Sequence, residues 1–460
     1  MRAHLFVFAA AATGAALTFA CSDSSESSDA PIDALDAGSA PDASQPAAAE
    51  FTVFVVEPTP ATGAVKPLTG AHVVFEGAGG AGRIDAITGP DGSATLPGAS
   101  FSRGAATITA YVDTLHVMFT YSGVTLEALA AAKPNALAAR YPKARKNLIV
   151  PLVRRTSSLD WAHVRGAVTG KQDASSYVTL SVAGGPGFLQ AKTDSFDLLA
   201  PRVSAVTLVG LEWKPVAHNT FIAGEEQKIR WARKDFPTQS GDGAFDFDFT
   251  TATPLSPVPF TGKVMLAGGA AGWFGNAVPA LRLVTTEGSL FLGSSTKYTR
   301  SADGTYFDFS GEYVNLPDLV YHPLLQMHLV AIGGGFSFVQ QAAFPANGMT
   351  FDGLLRVPQW PVAGQKLESP VPLTGIDPNA KGLSVIILDT ATSEPRWIHA
   401  AFRSGPMPTS VTFPALPAEA SALLGNGALT GQIQVEGDPI PQYPDFPATV
   451  AVSDLFNVTR

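Results

Sequence analysis

The sequence predicts an all-β protein built of tandem β-sandwich modules, with a short helical connector after the first. Three observations carry that reading. Charged residues make up only 15% of the 460, against about 25% in an average soluble domain. The chain holds 44 Gly, 36 Pro and 28 Phe, a composition of turn-formers and large apolar side chains. From residue 51 onward, short apolar or alternating runs recur between Gly, Pro, Asn and Asp, which is how strands joined by turns read. With 46% hydrophobic residues the chain can bury several cores. A net charge of −9, without a dense Lys/Arg stretch, argues against nucleic acid as a partner. A single cysteine excludes a disulfide framework.

Residues 1–20 read as a signal peptide. Arg2 and His4 precede the apolar run Leu5 to Ala20. Those sixteen residues would cover about 24 Å as a helix, short of the roughly 30 Å of a hydrocarbon core. Secretion is therefore the better reading than a spanning anchor. The run ends at Ala20 and is followed by Cys21, the one cysteine of the chain. This segment resembles a bacterial lipoprotein signal, in which the cysteine after the apolar run is lipidated and becomes the first residue. The resemblance implies lipidation at Cys21, a membrane partner through the lipid and an outer-membrane address. Thr18 stands where that pattern prefers Leu. Simple cleavage after Ala20, giving a periplasmic or secreted protein, is the alternative. Residues 21–50 carry Asp23, Glu26, Asp29, Asp33, Asp36, Asp42 and Glu50 with no Lys or Arg. So few large apolar side chains cannot offset chain entropy, so a disordered acidic tether is expected.

Residues 51–123 form the first module. FTVFVVEP, AHVVFEG, RIDAI, SATLPG, AATITAYV and HVMFTY read as six short strands with turns such as Gly89-Pro90-Asp91-Gly92 between them. The matching elements PLTGAHVVFEG, TGPDGSATLPG and GAATITAYV resemble a carboxypeptidase regulatory-like domain, a transthyretin-like β-sandwich. That resemblance implies support or binding and carries over no catalytic residues.

Residues 124–147 are Ala-rich and divided by Pro134 and Pro142, the helical connector. Beyond it the pattern predicts sandwich modules at 148–255 and 256–355 and a C-terminal β module at 356–460. Gly166, Gly262 and Gly353, each near an aromatic residue, stand 96 and 91 residues apart, a spacing typical of sandwich modules. A short helix is expected at Ala418 to Leu424, ahead of Gly425-Asn426-Gly427.

Chemistry-bearing motifs are few. The zinc-hydrolase helix, the nucleophile elbow and the phosphate-binding loop with its Lys are absent from the sequence. Gly77, Gly79 and Gly82 fit the spacing of a dinucleotide loop, but RIDAITGPDG follows where a helix should open. His322 and His328 are six apart, which on one strand separates them by about 20 Å. The candidate site is GDGAFDFDF. Alternation puts Phe245, Phe247 and Phe249 on a buried face and Asp246 and Asp248 on the other, with Asp242 on the preceding turn. Asp242, Asp246 and Asp248 would offer calcium its hard oxygen ligands, the one cofactor the sequence brings into view. The same alternation also suits a half-buried strand with a solvated acidic face. The loop lacks the Gly and Glu of an EF-hand. Trp273 and Phe274, set among glycines, are the candidate ligand-binding aromatics for a glycan, and the same pair also suits a Gly-rich loop that plugs a core edge.

The reading is a non-catalytic cell-envelope lipoprotein that binds or scaffolds an envelope protein or glycan. A secreted glycan-active hydrolase or carbohydrate-binding protein is its rival.

Overall fold

A computed structural model describes residues 50–460 apart from 59–64, 78–81, 98–104, 126–146, 156–160, 184, 186–187, 192–193, 203–205, 216–225, 239–240, 257, 267–271, 286–287, 294, 317–321, 345, 362–363, 403–406 and 441–442. The signal, Cys21, the tether up to residue 49 and nearly all of the expected connector lie outside the described residues, whereas Glu50 already belongs to the first strand.

The first module holds β1 (Glu50–Pro58), β2 (Val65–Pro67), β3 (His72–Glu76), β4 (Ile84–Ile87), β5 (Ser93–Pro97), β6 (Ala106–Tyr111), β7 (Met118–Val124) and β8 (Leu148–Pro151). One sheet pairs β1 antiparallel with β2 and β5 and parallel with β8; the facing strands run β7-β6-β3-β4. Val53, Val55, Phe75, Leu96, Ile108 and Phe119 fill the space between. The Gly-rich stretch after Glu76 lies mostly outside the described residues, and β4 follows it from Ile84. Gly92 has φ +73°, and a Cβ on it would press on Pro67 and Leu68, so the turn needs glycine. β8 extends the module beyond the boundary expected at 123. The all-apolar Leu148-Ile149-Val150 supplies the partner that β1 needs on its second edge.

The second module holds β9 (Trp161–Thr169), β10 (Tyr177–Val182), β11 (Phe188–Ala191), β12 (Ser195–Pro201), β13 (Val206–Pro215), β14 (Glu226–Phe236), β15 (Gly243–Ala244), β16 (Phe247–Asp248) and β17 (Thr253–Pro254). β12, β9, β15 and β16 face the sheet β11-β10-β13-β14-β17. The third holds β18 (Val258–Met265), β19 (Trp273–Thr285), β20 (Gly288–Gly293), β21 (Ser295–Arg300), β22 (Tyr306–Tyr313), β23 (His322–Ala331), β24 (Phe336–Gln341) and β25 (Met349–Phe351). Here β21-β22-β18-β25 faces β20-β19-β23-β24.

The fourth holds β26 (Gln365–Lys366), β27 (Val371–Pro372), β28 (Gly382–Asp389), β29 (Pro395–Ala401), β30 (Ser410–Val411), α1 (Ala418–Leu423), β31 (Leu429–Glu436), β32 (Pro439–Ile440), β33 (Tyr443–Pro447), β34 (Thr449–Val452) and β35 (Phe456–Thr459). The helix sits where the sequence places it, opened by Pro417 and closed by Gly425 in the left-handed region.

One pairing recurs in all four modules: the first strand runs parallel to a late one. The pairs are β1 with β8, β9 with β15 and β16, β18 with β25, and β26 with β35. A hairpin cannot make a parallel pair, so each such pair needs a crossover between sheets. Gly166 on β9 and Gly262 on β18 are equivalent within it. A Cβ on Gly166 would collide with the Phe245 carbonyl and crowd the Phe196 ring; one on Gly262 would collide with the Met349 carbonyl and the Phe309 ring. Gly353 does not join them. It lies two residues past β25 at φ +74°, without such a contact.

The modules interlock. β7 pairs parallel with β29, from Met118 with Trp397 to Ser122 with Ala401, and β24 pairs with β34. Twelve strands thereby run in one line, β20-β19-β23-β24-β34-β31-β28-β29-β7-β6-β3-β4. Around β7 and β29 this sheet separates two cores. Ile386, Ile398 and Ala400 of the fourth module enter the core of the first, while Val74, Tyr111 and Met118 of the first enter the core of the fourth. The second and third modules share a core likewise: Leu211, Trp213 and Trp231 pack with Phe260, Phe309 and Leu325.

Candidate functional site

The acidic stretch of the second module is built against β9. Phe247 and Phe249 are buried, Phe245 is half-buried, and Asp246 and Asp248 are exposed, as alternation requires. The segment is not one continuous strand. It touches β9 in two short pieces, and the carboxylates supply acceptors that the backbone does not. The N–H of His163 donates to Asp242 Oδ1 at 3.0 Å, and the N–H of Ala167 donates to Asp246 Oδ1 at 3.0 Å. The N–H groups of Phe245 and Phe249 donate to the carbonyls of Arg165 and Thr169, each at 3.0 Å. Asp-x-x-Phe is thus a four-residue unit used twice along one strand. Asp248 closes the stretch, accepting from the Thr250 hydroxyl at 2.7 Å and the Thr250 N–H at 2.9 Å. Those bonds hold its carboxyl below the ordinary aspartate range.

This arrangement spreads the three carboxylates. The β9 partners of Asp242 and Asp246 are four residues apart, about 13 Å along a strand. Among the described residues no three His, Cys, Asp or Glu side chains form a group that could hold a metal ion. The side chains picked out for calcium are brought onto one strand, each against a different backbone position.

Beneath Asp248 lies a network the sequence reading missed. Glu212 on β13 is fully buried and accepts from the Gln172 N–H at 2.7 Å. Arg230 on β14 donates through Nε to Glu212 Oε2 at 2.9 Å and through its other nitrogens to the carbonyls of Phe249 (2.9 Å) and Gly170 (2.8 Å). One guanidinium therefore ties the two sheets of the module together. The alternation of EQKIRWARKDF marks β14 as a strand, but nothing in it singles out Arg230.

Trp273 opens β19 and is buried in the core shared by the second and third modules, so it presents no exposed platform. The side chain of Phe274 lies outside what is described. His322 and His328 do share β23; His328 is buried, with Nε2 3.3 Å from Gln326 Oε1 and its ring against Phe338.

Two further polar clusters stand at module ends. His116 places Nε2 2.7 Å from Glu57 Oε2 and Nδ1 2.7 Å from Asp113 Oδ1, beside Arg154. Burial alone would raise the Asp113 carboxyl, but hydrogen bonds from His116 and the Leu115 N–H outweigh it and hold it low. On β31, burial pushes Glu436 up to about 7, against a hydrogen bond from the Gln434 amide at 2.7 Å.

No family model matches the chain, and no curated protein matches it. Among solved structures it is similar to the Bacillus anthracis TIE protein, at 8% identity and TM-score 0.16, covering 65% of this chain and 49% of that one. The chain thus spans about half the length of that protein. It is similar to a DUF3823 family protein from Parabacteroides merdae, at 15% identity and TM-score 0.18, covering 44% of this chain and 98% of that one. It is also similar to invasin, a bacterial integrin-binding protein, at 9% identity and TM-score 0.12, covering 89% of this chain and 79% of that one. Scores this low bear on neither fold nor function.

Proposed function

We propose that the chain is a non-catalytic lipoprotein of the cell envelope, held to the outer membrane through lipidated Cys21. The acidic tether carries an interlocked β-body that binds or scaffolds an envelope protein or glycan. The observation that carries the non-catalytic half is the use made of the buried and clustered carboxylates. Asp242, Asp246, Asp248 and Glu212 are each engaged with backbone N–H groups, and Glu212 with Arg230 as well. These four carboxylates serve to hold strands together, a structural use that supports a binding or scaffolding role. Sharing cores among modules gives the body one fixed surface, as a scaffold needs. The anchor half rests on the apolar run, the sole cysteine and the acidic stretch that follows it.

Pull-down from intact envelope fractions with the full chain as bait, paired with a glycan array, tests the reading. Saturable capture of one envelope protein or glycan without turnover supports it. Hydrolysis of arrayed glycans by the purified chain would overturn it in favour of the hydrolase.

A further inference from the structure

His399 lies in the middle of β29, on the strand that joins the fourth module to the first. Its register partners are Val385 on β28 and Thr120 on β7. The residue is completely buried, and among the described residues neither ring nitrogen has a hydrogen-bond partner. The Phe413 ring stands edge-on to it at 5.0 Å. The hydroxyl of its register partner Thr120 is already engaged with Trp397 Nε1 at 2.8 Å and with Thr109 Oγ1 at 2.9 Å. Burial alone pushes the imidazole down to about 3.

Titratable and charged groups flank this layer from the surrounding elements. On β6, Tyr111 is pushed up to about 12 by burial, then by Asp85 and by Glu419 of α1, and stays neutral in acid. On β3, His72 stacks on Tyr111 at 4.9 Å, with Nδ1 3.3 Å from Asp85 of β4, at the half-exposed rim of the sheet. Asp377, in a loop on the same core, is capped by the N–H groups of Arg356 and Asn379. Glu436 on β31 and Arg396 on β29 alternate to the opposite face. Arg83 and Arg155 cross the seam to the carbonyls of Ala415 and Leu423.

We propose that His399 makes the union of the first and fourth modules acid-sensitive, so that they part along β7 and β29 while the second and third modules stay folded. In the closed seam an imidazolium would be shut away from solvent and, among the described residues, without an acceptor, so the proton binds once the seam has opened. Each pH unit below the ordinary histidine value of 6.5 then favours the open form by about tenfold. Between pH 6.5 and 4.5 the gain is about 100-fold.

Hydrogen exchange on the full chain at pH 7 and pH 4.5, corrected for intrinsic rates, tests this in the wild type and in His399→Met. The expected result is about 100-fold more opening at Met118–Ser122 and Trp397–Ala401, little change at β18 and β22, and no such gain in the variant. Equal protection of the seam at both pH values overturns the proposal. A gain spread evenly over all four modules overturns it too, because acid would then act by unfolding the whole chain. Retention of the seam's gain in His399→Met assigns the effect to another group and also refutes it. Should the Met variant not fold, the wild-type comparison of β7 and β29 with β18 and β22 decides the first two outcomes, and His399→Leu decides the third.

Discussion

Arg230→Met should destabilise the second module more than any exposed charge deletion in it. Glu212 is 0% exposed and Arg230 is its cationic partner, with a side chain 14% exposed. Removing the guanidinium leaves a buried carboxylate with only backbone N–H groups, and breaking a buried pair in this way costs about 3–5 kcal/mol. It also frees the carbonyls of Phe249 and Gly170. The double variant Glu212→Gln/Arg230→Met removes the orphaned charge, while the amide oxygen can still accept from the Gln172 N–H. It should recover about half of the loss or more. Guanidinium unfolding followed by tryptophan fluorescence reads this directly, because Trp213 and Trp231 flank the pair in sequence and lie in the adjoining core. A single variant within about 1 kcal/mol of wild type refutes the reasoning. So does a double variant no more stable than the single one.

Gly262→Ala should cost about 1–3 kcal/mol or more, since its Cβ must displace the Met349 carbonyl or the Phe309 ring; thermal melts check it, and a neutral result removes the equivalence with Gly166. Glu436 keeps its proton in the fold up to about 7, whereas its ordinary value is 4.5, so its contribution to stability is complete below pH 4.5 and is lost as pH rises to 7. In Glu436→Gln that decline should vanish from melts taken across the window, and an unchanged slope counts against the burial argument. Residues 51–123 expressed alone should show no cooperative transition by circular dichroism, because they lack β8 and the side chains of β28 and β29 that fill the same core. A sharp melt from that fragment would show that the module stands by itself.

Local pattern made much of the fold legible. Alternation placed Phe247 and Phe249 inward, turn residues separated the strands of the first module, and Gly425 marked the end of the helix. Gly166 and Gly262 betrayed the repeat because each sits where a strand crosses a backbone too closely for a Cβ. Gly353 matched in spacing alone; it lies beyond β25 at a positive φ. The union of β7 with β29 was not legible. It pairs residues 279 apart in sequence, such as Met118 with Trp397, in a parallel ladder that no turn announces. For the same reason LIVP at 148–151 read as the start of a new module when it completes the old one. Trp273 among its glycines suited a core-edge plug as well as a glycan platform, and it is buried in the core shared by the second and third modules. The carboxylates of the candidate site were visible, but their acceptor role was not. It depends on β9, some eighty residues earlier, presenting N–H groups at the same four-residue step.

Fractionation of cells expressing the wild type and Cys21→Ser tests the central claim most directly. An envelope lipoprotein places the wild type in the membrane pellet and the variant in the soluble fraction, with the β-body intact in both. Equal pelleting of the two, or a soluble wild type, contradicts the anchor and with it the proposed role at the envelope.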